Sequence, residues 1–241
     1  MTDRPSILVP IRVLDGESIP DGVPELLANA HVVLLGYHVV PDQTATGQAK
    51  MQFEERANRR LDRYESTLEE AGATVERRLV FTHDGQKTLD RVRKKCDCLA
   101  VLVPNGTSPP DDVLVAVRGT AGVSRLADAV AGLFGSTDVT VTMYHVTETN
   151  ETDDDIETFL DGVKDRLTSK GMARSAIETR VDPEQKRLKA IATAAEEYDA
   201  LVMGESDPSL ATFVFGMPAE QIADRFLGPV LVVQREHSES S

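Results

Sequence analysis

Ser6-Ile7-Leu8-Val9-Pro10-Ile11-Arg12 returns 106 residues later as Asp112-Val113-Leu114-Val115-Ala116-Val117-Arg118. Three further matches follow in the same order. Gly36-Tyr37-His38-Val39-Val40 returns as Met143-Tyr144-His145-Val146-Thr147, and Thr74-Val75-Glu76-Arg77 as Ala176-Ile177-Glu178-Thr179. Gln86-Lys87-Thr88-Leu89 then returns as Gln185-Lys186-Arg187-Leu188. Matches kept in order at similar offsets mark an internal duplication rather than the general likeness of apolar strands.

Each copy alternates two kinds of signal. Short runs rich in Val, Ile and Leu, at residues 7–12, 31–40, 98–104, 113–118, 138–146 and 199–204, read as strands buried on both faces. Between them lie helical periods. Residues 52–71 carry Phe53, Ala57, Leu61, Tyr64 and Leu68 at spacings of three and four, with Gly72 as the stop. Residues 156–170 carry Phe159, Leu160, Val163 and Leu167, and Gly171 ends them. Residues 120–134 and 184–198 are also helical, the second opened by Pro183. This alternation predicts an α/β protein of βαβ units, with mostly parallel, doubly wound sheets covered on both sides.

The copies are unequal. The first unit spans residues 1–106, a linker 107–111, the second unit 112–235, and a disordered tail 236–241. After its fourth strand the first unit runs into Asn105-Gly106-Thr107-Ser108-Pro109-Pro110, a turn-rich segment. The second continues through a helix over 218–226 and a last strand, Pro229-Val230-Leu231-Val232-Val233. The first unit is thus truncated by one helix and one strand. Its first helix is also short, because residues 15–24 hold two Pro and two Gly.

The chain has 241 residues, 40 Asp+Glu against 26 Lys+Arg, and a formal charge of −14. Such an excess repels nucleic acid and anionic lipid, so neither a nucleic-acid partner nor a stable membrane association is expected. The densest basic patch, Arg91-Val92-Arg93-Lys94-Lys95, reads as one helical turn facing water. Acidic excess with 18 Arg to 8 Lys suits a cytosol of very high salt, which unfolding of the protein in dilute buffer would test. The start of the sequence has no apolar signal core and no run reaches membrane-spanning length, so a cytoplasmic protein is expected. Cys96 and Cys98 sit too close together to staple a fold, and two sulfurs alone make no zinc site.

The order βαβαβαβαβ, a first strand of the type Ile-Leu-Val-Pro, a second ending His-Val, and Leu201-Val202-Met203-Gly204 followed by a loop and Gly-Pro-Val-Leu-Val-Val resemble the universal stress protein family. The resemblance implies two adenine-nucleotide-alpha-hydrolase-like units in tandem. ATP binders of that family carry Gly-x2-Gly-x9-Gly-Ser/Thr after the fourth strand, where glycines let backbone N–H groups approach phosphate. Here Gly204 and Gly216 match, Asp207 replaces the middle glycine, one residue is missing, and Met217 stands where the hydroxyl belongs. A carboxylate beside a triphosphate is repulsive, and Pro208 and Pro218 lack an N–H. The binders also have an Asp after strand one; Arg12 and Arg118 stand there. Each arginine either holds an anion at the carboxyl ends of the strands or pairs with a nearby carboxylate.

The ligand cleft that the resemblance implies comprises Arg12, Val39, Arg118, Val146, Met203, Gly204, Ser206, Asp207, Gly216 and Met217. No catalytic set and no metal site is expected: Ser206 has no evident base, and His38 and His145, repeated at equivalent strand ends, read as core residues. Asp153-Asp154-Asp155 reads as helix-capping charge. The expectation is a non-enzymatic stress-response or regulatory protein without an ATP cofactor. The alternatives are a nucleotide- or anion-binding protein with a degenerate loop, and a regulatory module of a transporter. Val230–Val233 is apolar and terminal and is expected at a sheet edge; in the family it resembles this strand mediates pairing, which implies that two chains pair there as a homodimer.

Overall fold

The computed structural model describes residues 4–120, 122–148, 150–183, 187–204 and 228–234, with backbone alone at position 188. The elements run β1 (Ser6–Arg12), α1 (Val23–Leu26), β2 (His31–Val39), α2 (Thr46–Glu70), β3 (Thr74–Thr82), α3 (Gly85–Lys95) and β4 (Ala100–Val103). They continue with β5 (Asp112–Ala116), α4 (Val123–Phe134), β6 (Thr140–Val146), α5 (Asp153–Ser169), β7 (Ile177–Asp182), α6 (Arg187–Ala195), β8 (Ala200–Gly204) and β9 (Val230–Val233). All six apolar runs are strands. Two more strands, β3 and β7, were outside those runs, and their position explains why. They are the sheet's outer strands and lie mostly half-buried or exposed, so Glu76, Arg77, Arg78, Glu178 and Arg180 interrupt the apolar signal.

The described strands form one nine-stranded sheet in the order β3-β2-β1-β4-β9-β8-β5-β6-β7. The first half is ordered β3-β2-β1-β4 and the second, read from the other end, β7-β6-β5-β8, with every pairing inside each half parallel. One strand joins them. β9 runs parallel to β8, with Leu201 opposite Val230, and antiparallel to β4, with Ala100 opposite Val233. The two halves therefore point in opposite directions.

This placement corrects the expectation of a free edge at Val230–Val233. The strand is central, paired on both sides within its own chain, and all four residues are buried. Leu231 and Val233 face one layer and Val230 and Val232 the other, which is why the run has no polar alternation. Its backbone donors and acceptors already meet those of β4 and β8, so a homodimer through this strand has no edge to use. The helix expected over 218–226, the opening of the helix expected over 184–198, and the tail lie outside the described residues.

Helices cover both faces. On one, a continuous core runs from Ile7, Val9 and Leu34 through Leu231 and Val233 to Val113, Val141 and Leu160, under α1, α2, α4 and α5. The other face has two separate clusters, Leu8, Val33, Leu89 and Val92 beneath α3, and Leu114, Tyr144, Ile191 and Val232 beneath α6. Helix ends follow local chemistry. Thr152 and Asp155 form a reciprocal capping box at the start of α5, which absorbs part of the Asp153–Asp155 charge, and Asp84 caps α3 by accepting from the Lys87 N–H. At the far end of α3, Asp97 takes a left-handed φ of 45°, and the N–H groups of Asp97 and Cys98 close onto the carbonyls of Lys94 and Arg93.

Candidate functional site

In an open sheet whose strand order reverses beside the first strand, ligands sit at the carboxyl ends of the strands. This molecule has two such places, beyond β1 and β4 and beyond β5 and β8. Because the halves are antiparallel, they lie at opposite ends of the sheet. Arg12 and Val39 belong to one; Arg118, Val146, Met203 and Gly204 belong to the other, where Met203 pairs beside Ala116 at the end of β5. The expected site residues thus fall at two separate sets of strand ends. Ser206, Asp207, Gly216 and Met217 lie outside the described residues.

In the first cleft, the Arg12 backbone N–H donates to the Glu17 carboxylate at 2.6 Å, and its Nε–H donates to the Tyr37 hydroxyl at 3.2 Å. The guanidinium also lies 3.8 Å from Glu17. The hydrogen bond to Tyr37, its charge environment and the nearby carboxylates raise the Arg12 pKa further above its already high value. His38 sits between the edges of Phe53 and Phe81, each ring centroid 6.1 Å away, with Nδ1 3.5 Å from an Asp15 oxygen. Val39 is exposed.

The second cleft is tighter. Arg118 Nε–H donates to Glu148, and the backbone N–H of Glu148 donates to Glu151 at 2.7 Å. Glu151 also accepts from His145 Nε2 at 2.8 Å, while the other ring nitrogen of His145 faces the Val117 carbonyl at 3.3 Å. Val117 precedes Arg118, so these contacts form a closed ring around the ends of β5 and β6. His145 is buried and lies 5.6 Å from the Phe159 ring. Burial alone would raise the Glu151 pKa. The Glu148 N–H and the His145 ring outweigh it and hold the carboxylate below its ordinary range. On the opposite face Tyr144 donates to Asp182 at 2.7 Å beneath the Arg180 guanidinium, and burial followed by that carboxylate pushes the phenol pKa up.

Both arginines therefore pair with a carboxylate of their own half, the plainer of the two readings open at the sequence. Both histidines are packed against aromatic rings. The participants that sequence reasoning passed over are Asp15, Glu17, Tyr37, Glu148 and Glu151. The Tyr-His pair repeated at 37–38 and 144–145 carried that signal for the tyrosines, while the carboxylates occupy loops with no repeat. Among the described residues no group of three or more His, Cys, Asp or Glu side chains could hold a metal ion. No described helix is long and apolar enough to cross a membrane. Cys98 is buried, which pushes its thiol up to about 11 and leaves it a packing residue.

These features define an open α/β protein with carboxyl-end clefts and no assembled catalytic group among the described residues. The fold is that of universal stress proteins. A universal stress protein from Archaeoglobus fulgidus overlays 97% of this chain and 97% of its own, with a TM-score of 0.65 and 16% sequence identity. A functionally unknown protein from Pseudomonas aeruginosa covers 97% of this chain and 94% of its own, with a TM-score of 0.49 and 16% identity. An Archaeoglobus fulgidus universal stress protein in complex with dAMP covers 51% of this chain and 96% of its own, with a TM-score of 0.38 and 18% identity. No protein-family model and no curated protein matches the sequence.

Proposed function

We propose that this chain is a tandem, duplicated member of the universal stress protein family, a non-enzymatic cytoplasmic regulator whose clefts do not hold ATP. The observation that carries this reading is electrostatic. Where an anion would need a free guanidinium, Arg118 is paired with Glu148 and Arg12 lies against Glu17 and Tyr37. Glu151 stands directly behind the first pair, and Asp15 behind the second. A triphosphate entering either cleft would displace a carboxylate from its arginine and then face it. Each like-charge approach at about 4 Å costs about 1 kcal/mol in water and about 4 kcal/mol in a half-buried site. In the sequence, a further carboxylate, Asp207, stands three residues after Gly204.

Heating the purified protein with and without ATP and Mg²⁺ tests this directly. A ligand that binds only the folded state at about 100 times its Kd adds about 2.7 kcal/mol, a shift no melting curve would miss. The melting midpoint is expected to stay fixed at millimolar nucleotide, and denatured protein is expected to release no adenine nucleotide. A shifted midpoint or a stoichiometric released nucleotide would sink the proposal.

A further inference from the structure

α3 and α5 carry opposite charge of equal size. α3 holds five cations and one carboxylate, and α5 six carboxylates and two cations, in a chain that is acidic overall. α3 buries Thr88, Leu89 and Val92, leaving Lys87, Arg91, Lys94 and Lys95 exposed. α5 buries Ile156, Leu160, Val163 and Leu167, leaving Asp153, Asp154, Glu157 and Asp161 exposed. Apart from a pair between Lys87 and its own N-cap Asp84, no ion pair of the described residues uses any of these eight side chains.

Their spacing matches. Laid antiparallel in one register, Lys95 meets Asp153, Lys94 meets Asp154, Arg91 meets Glu157 and Lys87 meets Asp161. Lys87 to Lys94 and Asp154 to Asp161 are each seven residues, about 10 Å along a helix. The same alignment sets the carboxyl end of α3 against the amino end of α5, so the helix dipoles attract. A helix's own dipole accounts for cations in the last turn of α3 and carboxylates in the first turn of α5. It does not account for Lys87 in the first turn of α3 or Asp161 in the middle of α5. Gly162 adds a flat spot beside Asp161. A Cβ there would meet nothing within 4 Å, so no packing inside the chain explains a glycine in the helix interior.

We infer that α3 of one copy docks on α5 of a second copy. The contact cannot form within one chain. α3 covers the first half on one face of the sheet, and α5 the second half on the other. It joins two different surfaces, so repetition gives a ring where the rotation closes and an open filament where it does not. The partner is another copy of this chain rather than a nucleic acid, because the four carboxylates complete the pattern of the four cations position by position.

Salt separates this contact from a nonspecific one. Net negative copies repel at long range when the Debye length is about 30 Å, at about 0.01 M salt, and bare contacts are screened at about 1 M. Self-association of the folded chain is therefore stronger near about 0.15 M than near about 1 M. Surface pairs are individually weak, so sedimentation of the full chain is followed from about 10 µM to about 1 mM. The expected result is a mass that rises with concentration, and an association constant cut about tenfold or more by Arg91→Glu with Lys94→Glu, or by Asp154→Lys with Glu157→Lys. Mixing the two reversed variants restores association. The exposed sites leave the melting midpoint as the control for folding, and Arg91→Ala with Lys94→Ala gives a milder test. A wild-type mass fixed at one chain over this range, variants that associate as the wild type does, or a mixture that stays monomeric would each overturn the inference.

Discussion

The two halves share a strand order, yet they solve the same packing problem differently. In the second half, the segment after the first strand is α4, twelve residues long with eight of them buried, lying over β8 and β9 at the middle of the sheet. In the first half it is α1, four residues long, started like α4 by a left-handed glycine and a valine (Gly22-Val23 and Gly122-Val123). Asn29, just after α1, donates its side-chain amide to the Leu133 carbonyl near the end of α4. Among the described residues, the first half thus has only the one-turn α1 at this place and packs against α4 and β9. Equal local patterns did not produce equal roles, because the centre of one continuous sheet has room for one set.

The severest test of that dependence is Leu231→Asp. Leu231 is 1% exposed in the core that spans both halves, and an unpaired buried carboxylate there costs about 4–5 kcal/mol or more. Hydrogen exchange should show β1 and β5 losing protection together. A first half that stays protected would mean that β9 serves the second half alone.

The repeated glycines sharpen the comparison. Gly22 and Gly122 both have positive φ, 79° and 84°. A Cβ on Gly122 meets nothing within 4 Å, whereas one on Gly22 runs into the Thr107 carbonyl and comes 2.6 Å from that of Ser108. Gly122→Ala should cost the backbone strain alone, about 1–2 kcal/mol. Gly22→Ala adds overpacking against the linker, for about 2–5 kcal/mol in all. Equal losses in denaturant titrations would show that the linker yields freely.

The histidines differ in the same sense. His145 is buried with both ring nitrogens facing acceptors, and its truncation to Ala leaves Glu151 without one partner, for about 2–4 kcal/mol. His38, with a fifth of its side chain exposed, should cost about 1 kcal/mol on the same change. A reversed order of the two melting midpoints would refute the view that the second cleft is the tighter one.

The smallest effect is a pH dependence. Because the folded state holds Glu151 below its ordinary value of 4.5, its contribution is present above that pH and is lost as pH falls through the folded value. The carboxylate is 29% exposed, so the contribution is below about 1 kcal/mol. Glu151→Gln should remove that part of the acid slope, and an unchanged slope would assign it to other carboxylates.

Much of the architecture was legible in the sequence. Strands buried on both faces write an apolar run, and Gly72 and Gly171 ended α2 and α5 as read, each with positive φ. β3 and β7 were harder, since a strand open on one side carries charges that blur the pattern. The site was half legible. Arg12 and Arg118 were visible as a repeated departure, but Glu17 and Glu148 reach them, and Glu151 reaches His145, from loops whose spacing carries no period.

The amino-acid order by itself determined the alternation of strands and helices, the mostly parallel α/β class and the identity of the residues at the strand ends. Periodicity and composition act locally, over one element and its nearest partner. Only the tertiary structure decided that β9 lies between β4 and β8, and with it that the halves run in opposite directions and set their two clefts at opposite ends of the sheet. An apolar strand fits a sheet edge and a sheet centre equally well as sequence. Which one it takes depends on whether another strand, far away in the chain, arrives to satisfy its second row of hydrogen bonds.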